Sequence, residues 1–306
     1  MTQPLLDGYG RPVKSLRISL TQRCDFNCFF CHQEGEHSNG DELTANEIET
    51  IAKIASEQGV RYIKLTGGEP LMRRDIVEIV RRVKPYFEEV SMTTNASKLV
   101  ELACSLKEAG LARVNISLHS LHADKFKEIT GVDKKEEVEA GIKTALECGL
   151  TPVKMNMVVM KGVNHDEIEG LIKFSSETGA VLQLIEFQEL ENGVKYYDRF
   201  HYDLIPVEEM LAKRSEKIVE REMHRRKIYY LKNGAQVEVV RPMHNSTFCK
   251  YCTRLRVTSD GKIKACLMRD DNHVPFVSLM RSGASHEELV MAFKEGVRRR
   301  EPYWKE

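Results

Sequence analysis

Hydrophobic residues in the first two thirds of the chain fall into short β-rich runs separated by longer amphipathic stretches. This pattern is typical of repeated strand–helix units around a parallel sheet. The first helix has clear boundaries, because Thr44 and Glu47 can form a capping box and Gly59 can end the last turn. The predicted strands are residues 16–20, 62–66, 90–93, 113–117, 153–158 and 181–186.

Six strand–helix units are fewer than the eight that close a barrel. The sequence therefore predicts an α/β fold, a partial (β/α)6 TIM-like barrel over residues 1–190, with residues 191–306 covering its open side. In this second region Asn233-Gly234 predicts a hairpin of strands 227–231 and 236–240. A last helix is expected from about Ser285.

The charge balance excludes a nonspecific nucleic-acid binder, because 46 lysines and arginines equal 46 aspartates and glutamates in 306 residues. No signal peptide or membrane-spanning stretch is evident, and a cytoplasmic protein is expected. In that compartment the eight cysteines are expected to be thiols or metal ligands, with Cys104 and Cys148 as small core residues. The run Arg298 to Arg300 is expected on a solvated helix face.

Two cysteine trios each stop one ligand short of a four-cysteine metal site. A four-iron cubane cluster held by three thiolates keeps one iron free for another ligand, so the trios suggest two reactive clusters. The alternative is a pair of structural zinc sites, completed by a histidine such as His32 or His244, although C-x-x-x-C-x-x-C is not the usual zinc spacing. The trios are Cys24, Cys28 and Cys31, and Cys249, Cys252 and Cys266.

Polar residues follow the predicted strands, at the edge where parallel sheets bind ligands. In Gly67-Gly68-Glu69-Pro70 the glycines allow a close backbone approach and Glu69 could meet an amino group, whereas an ordinary turn is the alternative. Lys64 and Lys154 lie within strands, where burial is costly unless an anion is present or the side chains point outward.

Two arginines stand at alternate positions beside the second trio, in Arg254-Leu255-Arg256. On a strand they would point the same way and suit a phosphate chain, since guanidinium groups bind phosphate oxygens in a bidentate fork. A charged edge strand facing solvent is the alternative.

The first trio, with Phe30 before its last cysteine and with the Gly-Gly-Glu-Pro run, resembles the radical S-adenosylmethionine (SAM) superfamily. The second trio with its arginine pair resembles, more narrowly, the cyclases that act on GTP in the first step of molybdenum cofactor biosynthesis. That resemblance implies a lyase with two 4Fe-4S clusters. It also implies SAM, whose reductive cleavage gives a 5'-deoxyadenosyl radical that abstracts hydrogen from C3' of GTP.

The resemblance also implies binding residues and partners. The partners are GTP, a low-potential electron donor and the next enzyme, cyclic pyranopterin monophosphate synthase, without nucleic acid or membrane. Residues implied for SAM are Phe30, Gly68, Glu69, Ser117 and Gln188. Residues implied for GTP are Arg17, Lys64, Thr93, Lys154, Arg254, Leu255 and Arg256.

Two features depart from the family pattern. Position 30 is phenylalanine where tyrosine is common, and the chain ends in residues 301–306 without the family's double-glycine tail. Two other functions stay open from the residues alone. One is a radical enzyme that modifies a peptide or another small molecule, and the other is a zinc-binding scaffold without catalysis.

Overall fold

The computed structural model describes residues 3–36 and 40–305 and contains one mixed sheet of eleven strands. Its centre consists of six parallel strands in chain order, which confirms the predicted partial barrel. These strands are β1 (Ser15–Ser19), β2 (Tyr62–Thr66), β3 (Glu89–Thr94), β4 (Arg113–Ser117), β5 (Lys154–Val159) and β6 (Val181–Glu186).

The C-terminal region extends this sheet at both edges. At the β6 edge, β9 pairs in parallel with β6, β8 pairs antiparallel with β9, and β7 pairs antiparallel with β8. At the β1 edge, β10 pairs in parallel with β1, and β11 pairs antiparallel with β10. Both outermost predicted barrel strands therefore gain a partner from the second region. The added strands are β7 (Ser215–Glu220), β8 (Lys227–Leu231), β9 (Gln236–Val240), β10 (Arg254–Val257) and β11 (Ile263–Lys264).

The helices are amphipathic and bury apolar side chains against the sheet. As predicted, Thr44 and Glu47 form the capping box of α1, and Ser285 with Glu288 forms another at α11. The helices are α1 (Ala45–Glu57), α2 (Ile76–Val83), α3 (Leu99–Glu108), α4 (Ala123–Thr130), α5 (Lys135–Glu147), α6 (Ile168–Thr178), α7 (Tyr197–Phe200), α8 (Ile205–Arg214), α9 (Ser246–Lys250), α10 (Phe276–Arg281) and α11 (His286–Arg298).

Alternation along the strands separates an apolar core from a polar face. On β1, Leu16 and Ile18 are buried in the core, whereas Arg17 between them points to the other side. In the register of the sheet Arg17 stands beside Lys64 on β2 and Arg256 on β10. The polar side chains of neighbouring strands therefore gather on one face.

The structure corrects one expectation about cysteines. Cys104 in α3 and Cys148, directly after α5, form a disulfide with a Cα–Cα distance of 5.0 Å. Sequence could not show this, because the partners are 44 residues apart and meet only when α3 packs on α5. In the described part of the chain, no helix combines the length and apolarity needed to cross a membrane.

We expect the double variant Cys104→Ala/Cys148→Ala to lose about 2–4 kcal/mol of unfolding free energy, because the bridge restricts the unfolded chain. Denaturation of the metal-free protein with and without reductant checks this. Reductant should destabilise the wild type by the same amount and leave the variant unchanged. Equal stability of both proteins under oxidising conditions would contradict the pairing.

Candidate functional site

A cavity of about 340 Å³ opens where the carboxyl ends of the parallel strands meet the C-terminal region. All six trio cysteines line it, so residues more than 200 positions apart in sequence share one chamber. The shared cavity is the arrangement that two cooperating reactive centres would need.

The first trio lies in the loop that follows β1. Backbone N–H groups donate to two of its sulfurs, from Phe26 to Cys24 Sγ and from Gln33 to Cys31 Sγ, each at 3.4 Å. Burial raises the pKa of the Cys24 thiol to about 11 and raises that of Cys28 as well. Without a bound cation these groups therefore stay protonated, and a metal centre would bind them with loss of protons.

The second trio is surrounded by positive charge. Burial alone would raise the pKa of Cys252, but the guanidinium groups of Arg300 and Arg254 outweigh it and lower that pKa. Cys249 Sγ accepts a hydrogen bond from the backbone N–H of Trp304 at 3.5 Å. The C-terminal segment thus forms part of the cavity wall, although it lacks a double glycine.

Arg300 contradicts the prediction of a solvated arginine run. Arg298 and Arg299 are exposed as expected, but Arg300 is 1% exposed and pairs with Asp7 at 3.2 Å. Its guanidinium donates to the carbonyls of Arg11 at 3.1 Å and Cys252 at 2.6 Å. The reason is its place just beyond α11, where the side chain turns inward and joins the second trio to the N-terminal segment.

The glycine loop after β2 packs tightly against the first trio's loop. A Cβ on Gly68 would lie 2.3 Å from the carbonyl oxygen of Arg23, so a larger residue cannot fit without movement. Glu69 accepts hydrogen bonds from the N–H groups of Leu71 (2.9 Å) and Asn95 (2.6 Å) and from the Thr94 hydroxyl (2.7 Å). Burial still raises the pKa of Glu69 to about 7.

The other side chains predicted for SAM lie in the same wall. Phe30, Ser117 and Gln188 line the cavity, and Gln188 Oε1 is buried without a hydrogen-bond partner among the residues that the structure describes. An unpaired buried acceptor is costly and calls for a donor. A bound ligand could supply that donor.

A buried carboxylate, Glu34, binds two of the arginines that line the cavity. Glu34 accepts from Arg17 Nη1 at 3.2 Å, Arg256 Nη1 at 2.5 Å and the Thr66 hydroxyl at 2.9 Å. Burial opposes ionisation, but these guanidinium groups hold the pKa of Glu34 far below its usual range. Sequence reasoning missed Glu34, and its position three residues after Cys31 carried no signal of such a role.

Arg254 differs from its neighbours because, among the described residues, it pairs with no carboxylate. Its Nη2 donates a hydrogen bond to Met223 Sδ at 3.6 Å. Burial, followed by repulsion from Arg17 and Arg256, lowers the pKa of Arg254 well below its ordinary value. Arg254 and Thr93 both line the cavity, as predicted for substrate contacts.

Three further predicted residues lie behind the cavity wall. Lys64 donates to Asn115 Oδ1 at 2.9 Å, and Lys154 forms an ion pair with Glu238 on β9. The Leu255 side chain packs in the hydrophobic core, which leaves its backbone as the part that can face a ligand. Glu238, which also pairs with Arg226 at 3.3 Å, was not predicted, because its strand β9 pairs with β6, and so comes near Lys154 on β5, only in the folded protein.

Comparison with known proteins decides the family. Residues 18–175 match the model of the radical SAM superfamily, and residues 180–306 match the family described as Molybdenum Cofactor Synthesis C. A probable GTP 3',8-cyclase of Thermococcus kodakarensis is 53% identical over 98% of this chain and 100% of its own. One from Pyrococcus abyssi is 50% identical over 98% and 99%. The chain belongs to the GTP 3',8-cyclase family of the radical SAM superfamily.

Solved structures show the same fold at low identity. SuiB of Streptococcus suis superposes with a TM-score of 0.65 at 17% identity, covering 97% of this chain and 68% of its own. A His-tagged anSMEcpe with bound AdoMet gives 0.62 at 15% identity, covering 92% and 81%. These neighbours, like the cyclase family, share the radical SAM architecture.

Members of the radical SAM superfamily use SAM and a 4Fe-4S cluster, and the donor set of the first trio fits that cluster. Three thiols face one cavity, and backbone N–H groups already point at two of the sulfurs, as thiolate ligands require. Among residues 3–36 and 40–305, no group of three or more His, Cys, Asp and Glu side chains forms a site for a metal ion. The fit of the first trio to a 4Fe-4S cluster therefore rests on its three thiols as suitable ligands, and not on a preformed site for a single metal ion.

Arg300 should be essential for the stability of the cyclase. We expect Arg300→Met to cost about 3–5 kcal/mol of unfolding free energy, because Asp7 would lose one of its two buried cationic partners and two carbonyls their donor. The exposed Arg298→Met is the matched control and should change stability by less than about 0.5 kcal/mol. Chemical denaturation measures both, and equal effects would contradict the assigned role.

Proposed function

We propose that this protein is a GTP 3',8-cyclase that converts GTP to (8S)-3',8-cyclo-7,8-dihydroguanosine 5'-triphosphate, the first step of molybdenum cofactor biosynthesis. The observation that carries the proposal is one cavity lined by both cysteine trios and by several arginines, among them Arg17, Arg254 and Arg256. The names of the relatives support GTP as the substrate.

In this proposal Cys24, Cys28 and Cys31 hold one 4Fe-4S cluster whose fourth position is left to SAM. When bound, the cluster and SAM supply the 5'-deoxyadenosyl radical that takes hydrogen from C3' of GTP. Gly68 offers its backbone at close range, and Glu69 can receive the amino group of SAM. Phe30, Ser117 and Gln188 would complete the wall around the nucleoside and methionine parts.

We propose that Cys249, Cys252 and Cys266 would hold a second 4Fe-4S cluster, which with three protein ligands would leave a coordination position available to the guanine. Arg17, Arg254 and Arg256 would bind the triphosphate together with Thr93, and Lys64, Lys154 and the backbone of Leu255 would support them. The charge favours this assignment, because a triphosphate neutralises cations that the protein itself leaves partly unpaired.

The reaction also requires partners. We propose a low-potential electron donor that reduces the first cluster, and transfer of the product to cyclic pyranopterin monophosphate synthase. The expected site of action is the cytoplasm.

Metal content and turnover test the reaction class together. After anaerobic preparation we expect roughly eight iron and eight sulfide per chain, as two cubane clusters require. With SAM and reductant, 5'-deoxyadenosine should form far faster with GTP than without it, and Cys24→Ser should abolish its formation. Stoichiometric zinc without sulfide would refute the radical reaction, and 5'-deoxyadenosine formation indifferent to GTP would refute the substrate.

Arg254→Met should weaken GTP binding at least tenfold, because Arg254 is the cavity arginine without a carboxylate partner in the described chain. The same variant should be slightly more stable than wild type without ligand, since it relieves repulsion from Arg17 and Arg256. Calorimetric titration and denaturation measure the two effects. Unchanged affinity would contradict the phosphate role, and Arg298→Met is the control.

GTP affinity should fall as pH rises above about 8. Burial lowers the pKa of Lys154 to about 8, although Glu238 opposes the shift. A bound triphosphate favours the protonated amine and raises that pKa, so binding above pH 8 must take up a proton. Titration calorimetry in buffers of different ionisation enthalpy measures the uptake. Lys154→Met should reduce the number of protons taken up on GTP binding. An affinity for GTP that rises with pH would contradict the role of Lys154.

A further inference from the structure

His119 lies in the cavity wall just beyond β4, and nothing described above gives it a role. The residue is 5% exposed, and its ring meets Phe30 edge to face with centroids 5.0 Å apart. Ser117, two residues earlier, lines the same wall. His119 therefore contacts one side chain proposed to bind SAM and lines the same cavity as another.

The hydrogen bonds of the ring define where its proton sits. The backbone N–H of Val158 donates to His119 Nδ1 at 3.2 Å. A ring nitrogen that accepts from an amide carries no proton, so the neutral ring carries its proton on Nε2. Burial lowers the pKa of His119 to about 4, which keeps the ring neutral near pH 7.

The other ring nitrogen is free for a ligand. Within residues 3–36 and 40–305, Nε2 of His119 makes no hydrogen bond to another protein group. The atom is not fully buried, so a ligand in the cavity can reach it. The ring thus offers one neutral N–H donor at the surface of the cavity.

The fully buried Asn164 fixes the position of this donor. Its Nδ2 donates to the carbonyls of His119 at 2.8 Å and Val158 at 2.9 Å, and its Oδ1 accepts from the N–H of Met160 at 2.7 Å. One side chain therefore ties the segment after β4 to the end of β5. Asn164 thus fixes the backbone of His119, while Val158 and Phe30 hold the ring, and the donor is preorganised as a binding group needs to be.

We propose that the Nε2–H of His119 donates a hydrogen bond to an acceptor atom of SAM and so positions this cofactor. The inference rests on the proposed function, because SAM is the ligand of that reaction. The choice of a neutral donor has a physical reason. SAM carries a positive sulfonium, and an imidazolium in a buried wall nearby would repel it.

Two substitutions separate the hydrogen bond from the packing. His119→Asn places an amide oxygen near the position of Nδ1, where it can still accept from Val158, but it has no donor at the position of Nε2. His119→Gln reaches further and can place an amide N–H near Nε2. His122→Asn is the matched control, because the His122 side chain is 70% exposed three residues away.

The test measures the dissociation constant for SAM in the reconstituted enzyme without GTP, from the EPR change of the reduced first cluster. We expect His119→Asn to weaken SAM binding about three- to tenfold, as the loss of one hydrogen bond predicts, and His119→Gln to recover part of the loss. His122→Asn should match the wild type. Thermal melting should place all three variants close to the wild type.

Each other outcome overturns the role of His119. Wild-type affinity in His119→Asn would show that the donor does not contact SAM. Equal losses in both variants, with lower melting temperatures, would show that the ring is structural. The proposed function fails separately, if the wild-type enzyme itself does not bind SAM or forms no 5'-deoxyadenosine in response to GTP.

Discussion

The structure depends on an excess of positive charge packed around one cavity. Cationic side chains from both regions of the chain lie in or behind its wall, and Glu34 and Glu238 take up part of the charge of six of them. Burial, and after it repulsion from the neighbouring cations, lowers the pKa of Arg254 and Lys64 well below their ordinary values. The cations are Arg17, Lys64, Lys154, Arg226, Arg254 and Arg256. Such crowding is unfavourable in the free protein, and a polyanion such as a triphosphate relieves it.

The sheet explains how this charge meets the cysteines. The first trio follows β1 in the chain. The strand β10 begins just after the first two cysteines of the second trio and pairs in parallel with β1. This pairing places Arg17 beside Arg256 and brings the two trios to one chamber. Glu34 strengthens the connection, because it lies just after Cys31 and holds both arginines. The two cysteine trios are thus joined by a strand pair and a carboxylate.

Local patterns in the sequence predicted the parts of the fold that depend on local physics. The six parallel strands, the Thr44 capping box, the Asn233-Gly234 hairpin and the helix after Ser285 all form as expected. The sequence did not reveal the parallel pairing of β9 and β10 at opposite edges, since such contacts join distant segments. The same holds for the Cys104–Cys148 bridge, for buried Arg300 and for Glu34, whose partners are far away in the chain. The cysteine trios and the Arg254–Arg256 pair could be named from spacing and the other site residues from a family resemblance, whereas the groups that position them could not.

The central claim is that SAM and GTP meet in one cavity, with C3' of the ribose within reach of the radical. GTP carrying deuterium only at C3' tests it most directly, in an anaerobic reaction analysed by mass spectrometry of the 5'-deoxyadenosine formed. If C3' lies within reach of the radical, one deuterium appears in 5'-deoxyadenosine together with the cyclised product. Unlabelled 5'-deoxyadenosine formed alongside the product would contradict it.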